Sequence, residues 1–245
     1  MPVRSVHLLH DGYFHIDLGL LVYLKSSYYG KDYKAALKPM LVRTEGMNVL
    51  IDTGIADLPP KLAPHYNVER DGRRIDKSLK SLGLEPKDID LVINTHLHLD
   101  HAGNNKMFRD ARFIVQKGEL DTAYDPPRWF RGGYFTDSFE GIEFTEVDGD
   151  VKIADGIGVI RTGGHTPGHQ AVLVDTAPKP FLYCGDIAAI RENIEKRNLP
   201  GILWDPKEAA DAIERFAGMD VEHVYSHDNA QLELGTDHPP PRTLK

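Results

Sequence analysis

Residues 94–105 read Asn-Thr-His-Leu-His-Leu-Asp-His-Ala-Gly-Asn-Asn. Three imidazoles and a carboxylate fall together here as His96, His98, Asp100 and His101. The run at 89–93 is apolar and rich in branched residues, so it reads as a buried strand leading into them. In an extended segment alternate side chains share a face, so His96, His98 and Asp100 can converge while His101 serves a second centre. Imidazole and carboxylate are the usual ligands of Zn²⁺, Fe²⁺ and related divalent ions. A single histidine is more often an ordinary hydrogen-bonded side chain. Four ligand-type groups this dense, at the end of a strand, favour metal.

Three further residues occupy the same kind of position. His165 follows a strand-like run at 158–162, Asp186 one at 181–184 and His227 one at 221–225. Loops at strand ends are where rigid scaffolds place their chemistry. Elsewhere, runs at 40–43 and 48–51 flank Glu45-Gly46 as a hairpin. Ile75, Leu79 and Leu82 share a helical face closed by Gly83, and Asp205-Pro206 opens a second helix carrying Ala209, Ala210, Ile213 and Phe216. Further strands are expected at 112–116 and 171–174. Strands punctuated by helices indicate a mixed α/β fold. A faint echo links residues 49–54 (VLIDTG) with 182–187 (LYCGDI), each an apolar strand ending beside Gly and Asp.

This constellation resembles the metallo-β-lactamase superfamily. Its HxHxDH signature stands as His96, His98, Asp100 and His101, and its later ligands as His165, Asp186 and His227. Asp52-Thr53-Gly54 matches the early strand-end aspartate. The resemblance spans essentially the whole chain, so residues 1–245 are expected to form a single domain. It implies an α/β fold of the αββα sandwich type, with a two-metal site at one edge of the sheets. By the same resemblance His96, His98 and His165 hold the first ion, and Asp100, His101 and His227 the second. Asp186 bridges them, and Asp52 and His169 support the ligands from behind.

A nearer similarity is to N-acyl homoserine lactonases and pyridoxolactone hydrolases. It rests on residues 97–105, on the His165-Thr-Pro-Gly-His169-Gln170 run and on Ser226-His227-Asp228. It implies a lactonase, hence quorum quenching, with a hydroxide shared by two divalent ions as nucleophile and Asp100 as proton carrier. Zinc is the first expectation, and iron, manganese or cobalt suit the same ligands. Those lactonases carry a tyrosine three residues after the bridging aspartate. Here Ala189 stands there, which leaves another ester or thioester hydrolase open. A sulfur dioxygenase with one iron is the alternative in a different reaction class.

Composition narrows the field. The 245 residues hold 29 basic and 37 acidic side chains, a net charge of 29 − 37 = −8, which counts against a nucleic-acid partner. With one cysteine, Cys184, neither an internal disulfide nor a cysteine-built zinc cage can form. No apolar run near the start is long enough to span a bilayer and no signal peptide is recognisable, so a cytoplasmic enzyme without a membrane partner is expected. Trp129-Phe130 and Tyr134-Phe135 lie among prolines and glycines, which makes an irregular aromatic loop. It reads equally as the wall of an acyl-binding pocket or as a packing or homodimer contact. Residues 26–37, with Tyr28, Tyr29 and Tyr33, are a second candidate rim, and Tyr225 a stand-in for the missing tyrosine. His7, His10, His15, His65, His223 and His238 fit no ligand spacing and receive no role.

Overall fold

In the computed structural model, which describes residues 2–61 and 63–234, alternation along the strands dictates the layers. In Met40–Thr44, Met40 and Val42 face one way and Leu41 the other. The first pair joins Val49, Ile51, Leu91 and Ile93 against Val159, Val172, Phe181 and Tyr183, which is the core between two sheets. Leu41, Leu50 and Val92 point outward to pack beneath Ile75 and Leu79 of helix Ile75–Ser81. On the other sheet Ala171 and Leu182 pack beneath Ala209, Ile213 and Phe216 of helix Pro206–Ala217. The order is therefore helix, sheet, sheet, helix, the αββα sandwich that the resemblance implies.

The first sheet orders its strands Val3–Leu8, Met40–Thr44, Asn48–Ile51, Leu91–Ile93, Arg112–Gln116 and Phe144–Val147. The second orders Val151–Ala154, Ile157–Arg161, Gln170–Val174, Phe181–Tyr183 and Glu222–Val224. The expected hairpin pairs Met40 with Ile51 and Arg43 with Asn48. Both helix signals hold. Asp205 caps its helix through Lys207 N–H (2.7 Å) and Glu208 N–H (3.0 Å), and Gly83 takes φ +74° just past the other.

Asn48–Ile51, Leu91–Ile93 and Arg112–Gln116 run parallel, as do Phe181–Tyr183 and Glu222–Val224. Their carboxyl ends lie at one edge, where open α/β sheets place their sites. A small third sheet of Asp32–Ala36, Tyr13–Asp17 and Val68–Glu69 lies beside it; the N-terminal third reads as strand-rich in sequence, but the patterning set no bounds for these strands. No helix among the described residues is long and apolar enough to cross a membrane. His238 lies outside the described residues.

Candidate metal centre

Two groups of ligand-type side chains meet at the sheet edge. His96, His98 and His165 form one, and Asp100, His101, Asp186 and His227 the other; within each group the ligand atoms lie within 4.8 Å of one another. Strict alternation would have put Asp100 with His96 and His98. The backbone instead turns after His98, whose carbonyl accepts the N–H groups of His101 (3.0 Å) and Ala102 (2.9 Å). The turn carries Asp100 across to His101.

The partners behind each ring fix which nitrogen is free. Thr95 Oγ1 donates to Asp52 Oδ2 (2.8 Å) and therefore accepts from His96 Nδ1–H (3.0 Å). His101 Nδ1–H donates to Asp52 Oδ2 (2.7 Å), His165 Nδ1–H to the Ile202 carbonyl (2.9 Å) and His227 Nδ1–H to the Ala36 carbonyl (2.9 Å). All four rings thus turn Nε2 inward, the arrangement that ligand histidines use. His96 Nε2 is buried without a hydrogen-bond partner. The Nε2 atoms of His101 and His227 stand 3.2 Å apart, and His165 Nε2 is 3.2 Å from His98 Nδ1. Facing lone pairs repel, so each contact calls for a proton or a cation. This nitrogen and oxygen donor set fits divalent cations.

Asp186 lies between the groups. Its Oδ1 is 3.1 Å from His101 Nε2 and 3.3 Å from His227 Nε2, while Oδ2 faces His165 Nε2 at 3.7 Å. Ser226 Oγ donates to Oδ1 (2.6 Å), and His169 Nε2 accepts the Asp186 backbone N–H (2.9 Å). His169 Nδ1–H is spent on Thr162 Oγ1 (2.6 Å), so this ring supports the aspartate's backbone. Gly185 must be glycine: its φ is +55°, and a Cβ would come within 2.5 Å of His169 Nε2. Asp52 is held at φ +58°, an uncommon conformation for a side-chain-bearing residue.

The two groups differ in charge. Burial, helped by the neighbouring rings, lowers the pKa of His96 and takes His98 to about 3, and burial lowers His165 too. Burial also opposes charge on His101 and His227, but Asp186 and Asp100 outweigh it, lifting His101 well above its usual range and His227 to about 9. Burial works to raise Asp100, yet His101 and His227 bring it down to about 2.

A pH dependence follows for protein stripped by chelator. His227 is raised from 6.5 to about 9, so its contribution to stability is full below about 6.5 and is lost as pH rises through about 9. Its proton must leave before a cation enters the second group. Divalent-ion affinity there should therefore rise from pH 7 to 9, with proton release measurable by calorimetry in buffers of different ionisation enthalpy. Constant affinity and no proton release would contradict this charge assignment.

Two buried supports escaped the sequence reading. Glu119, in the first turn of helix Lys117–Tyr124, accepts from Leu97 N–H (2.9 Å), Tyr134 Oη–H (3.2 Å) and the Thr166 hydroxyl, tying the 95–101 segment to the 163–169 segment. Its position just after a strand was the available signal. Lys38 Nζ donates to the carbonyls of Asp228 (2.7 Å) and Gln231 (2.6 Å), anchoring the chain behind His227. Burial brings Lys38 down to about 7.

Above the ligand groups opens a cavity of about 460 Å³. His98, Asp100, His165, Asp186 and His227 line it, with apolar walls that include Phe14, Leu20, Ile55, Trp129, Phe130 and Ile202. Tyr134 and Phe135 are not among the lining residues. Tyr134 packs its ring edge against His98 at 4.8 Å, and Phe135 joins the cluster of Phe14, Leu37 and Leu99. The 26–37 segment does not line the cavity either. Residues 14–17, 20 and 21 supply that wall, so His15, assigned no role from its spacing, faces the cavity. Ala189 also lines it, whereas Tyr225 is buried in the cluster beneath helix Pro206–Ala217.

Comparison with known proteins agrees with this geometry. The model of the Metallo-beta-lactamase superfamily matches residues 39–227. An N-acyl homoserine lactonase of Bacillus sp is 30% identical over 189 residues, covering 72% of this chain and 73% of that protein. The N-acyl homoserine lactonase AttM of Rhizobium radiobacter is 29% identical over 222 residues, covering 81% and 84%. The solved structure of an N-acyl homoserine lactone hydrolase, with the product N-hexanoyl-L-homoserine at its catalytic metal center, superposes with a TM-score of 0.83. It is 26% identical and covers 94% of this chain and 96% of that one.

Proposed function

The chain belongs to the metallo-beta-lactamase superfamily, and from that premise we propose that it is a metal-dependent lactonase opening N-acyl homoserine lactones. The observation that carries this reading is the convergence of seven ligand-type side chains, five of which form the floor of an apolar cavity. His96, His98 and His165 would hold one divalent ion and Asp100, His101 and His227 a second, with Asp186 between them. Zinc is the first choice. The second group favours two ions over the single iron of a sulfur dioxygenase. The proposal extends to one domain over residues 1–245 and to a cytoplasmic enzyme with a small ester as its partner.

Bound ions of this kind supply Lewis acidity and lower the pKa of water from 15.7 to about 7 in the best-known zinc case. The protein's own groups do the rest. Asp52 and the carbonyls of Ile202 and Ala36 hold three of the rings in one tautomer. The apolar walls hold an acyl chain and exclude bulk water. Asp100 is ionised at neutral pH and lines the cavity. It can accept the proton of the attacking water at one carboxylate oxygen and deliver it to the ring oxygen as the acyl–oxygen bond breaks. One water is consumed: one of its protons ends on the freed hydroxyl and the other passes to solvent as the new carboxylic acid ionises to a carboxylate.

Hydrolysis in ¹⁸O-water under single turnover tests the direct attack. Label in the first product's carboxylate is expected, and an unlabelled first product would mean that a protein carboxylate attacks first. Chain length tests the cavity. Trp129→Ala and Phe130→Ala should weaken long-chain lactones more than short ones, since each buried methylene is worth about 0.8 kcal/mol. Equal losses in kcat/KM at all chain lengths would assign these rings to packing alone.

A further inference from the structure

The chain has two tryptophans, and they stack on each other beside the cavity, with centroids 5.2 Å apart and planes at 24°. Trp129 comes from the aromatic loop and is 67% exposed. Trp204 comes from the segment 199–205 that leads into helix Pro206–Ala217 and meets Phe130 edge-on at 5.4 Å. Phe130 in turn lies 5.6 Å from the His98 ring. Trp204 is not itself a lining residue, so direct contact with an acyl chain is not its evident role.

The backbone around Trp204 leads to the other side of the same ligand group. The N–H groups of Trp204 and Asp205 both donate to the Gly164 carbonyl, at 2.7 and 3.0 Å. Two residues earlier, the Ile202 carbonyl accepts His165 Nδ1–H. His165 Nε2 and His98 Nδ1 then close a circuit of contacts: His98, Phe130, Trp204, Ile202, His165 and back to His98. The hydrogen-bond acceptor that orients His165 thus sits on a segment fastened to the cavity wall by an aromatic stack.

We propose that Trp204 is a positioning residue. Clamped between Trp129 and Phe130, it holds segment 199–205 so that the Ile202 carbonyl keeps His165 Nε2 aimed into the first ligand group. The acyl wall and a metal ligand are then mechanically one unit. The proposal rests on reading His165 as a metal ligand, and it does not depend on which ester the enzyme opens.

The test is the rate at which Zn²⁺-loaded protein gives up its ions to a chromogenic chelator, with no substrate present. Trp204→Ala should release one ion about tenfold faster, the scale on which partners behind metal ligands act. Trp204→Phe keeps an aromatic plane against Trp129 and should stay near the wild-type rate. Trp129→Ala removes a ring that is 67% exposed and so contributes little to the buried core, and it should also speed release. It therefore decides the matter if Trp204→Ala does not fold. Wild-type release rates in Trp129→Ala, or Trp204→Phe releasing as fast as Trp204→Ala, would overturn the clamp. A wild-type protein that retains no Zn²⁺ would overturn the ligand reading and the clamp with it. Absence of lactone turnover alongside the expected release rates would count only against the substrate.

Discussion

Asp186→Ala should lose at least about a hundredfold in lactone hydrolysis together with at least one bound ion, because even partners lying behind metal ligands are worth about 10–100-fold. No other carboxylate among the described residues is placed between the two ligand groups as Asp186 is, with one oxygen toward His101 and His227 and the other toward His165. The loss also leaves Ser226 Oγ without its 2.6 Å acceptor and removes the negative charge that most raises His101 and His227. Those rings should then deprotonate more readily while binding a cation less well. Turnover and metal content measured on one preparation check both effects. An active Asp186→Ala enzyme with both ions present would refute the bridging role.

Glu119→Ala is expected to cost at least about 3 kcal/mol of stability, because it strands buried donors worth about 1–3 kcal/mol each. Those donors are Leu97 N–H, the Thr166 hydroxyl and Tyr134 Oη–H. A protein of this size is stable by only about 5–15 kcal/mol, so the change is large. Its effect should reach the metal centre, since Leu97 lies between His96 and His98 and Thr166 follows His165. Glu119→Gln keeps one acceptor oxygen and should lose less. Denaturant midpoints for the two variants, read with ion retention, decide the matter. A loss under about 1 kcal/mol for Glu119→Ala would show that water takes over the acceptor's place.

What was legible in the sequence was local chemistry. His96, His98, Asp100 and His101 are adjacent in the chain, and the rule that chemistry follows strand ends picked out His165, Asp186 and His227. The echo between 49–54 and 182–187 has a structural counterpart. Asp52 and Asp186 each follow a strand inside one of the two sheets, and each carboxylate supports or joins the ligand rings. Periodicity found the hairpin and both amphipathic helices because their apolar faces are buried in a regular pattern.

Features set by distant segments were not legible. The grouping of Asp100 depends on a turn that alternation does not anticipate. The wall formed by residues 14–17 comes from a small sheet whose short strands are only half-buried, so its pattern is weak. Lys38 and Glu119 are charged residues whose burial is tolerable only because the folded chain brings them partners, and spacing cannot reveal those. Tyr134 shows the same limit. Its composition suited a pocket wall, but its hydroxyl found Glu119.

The central claim is that two divalent ions in this site open a lactone ring. Its most direct test is metal analysis and hydrolysis on the same preparation, with a panel of acyl homoserine lactones, simple lactones, aryl esters, a thioester and a phosphotriester. The expected result is two ions per chain, lactone opening ahead of the other substrates, loss of that activity on chelation and its return with Zn²⁺. A protein that opens lactones at full rate after its ions are removed, or that holds both ions and hydrolyses no lactone, would contradict the account.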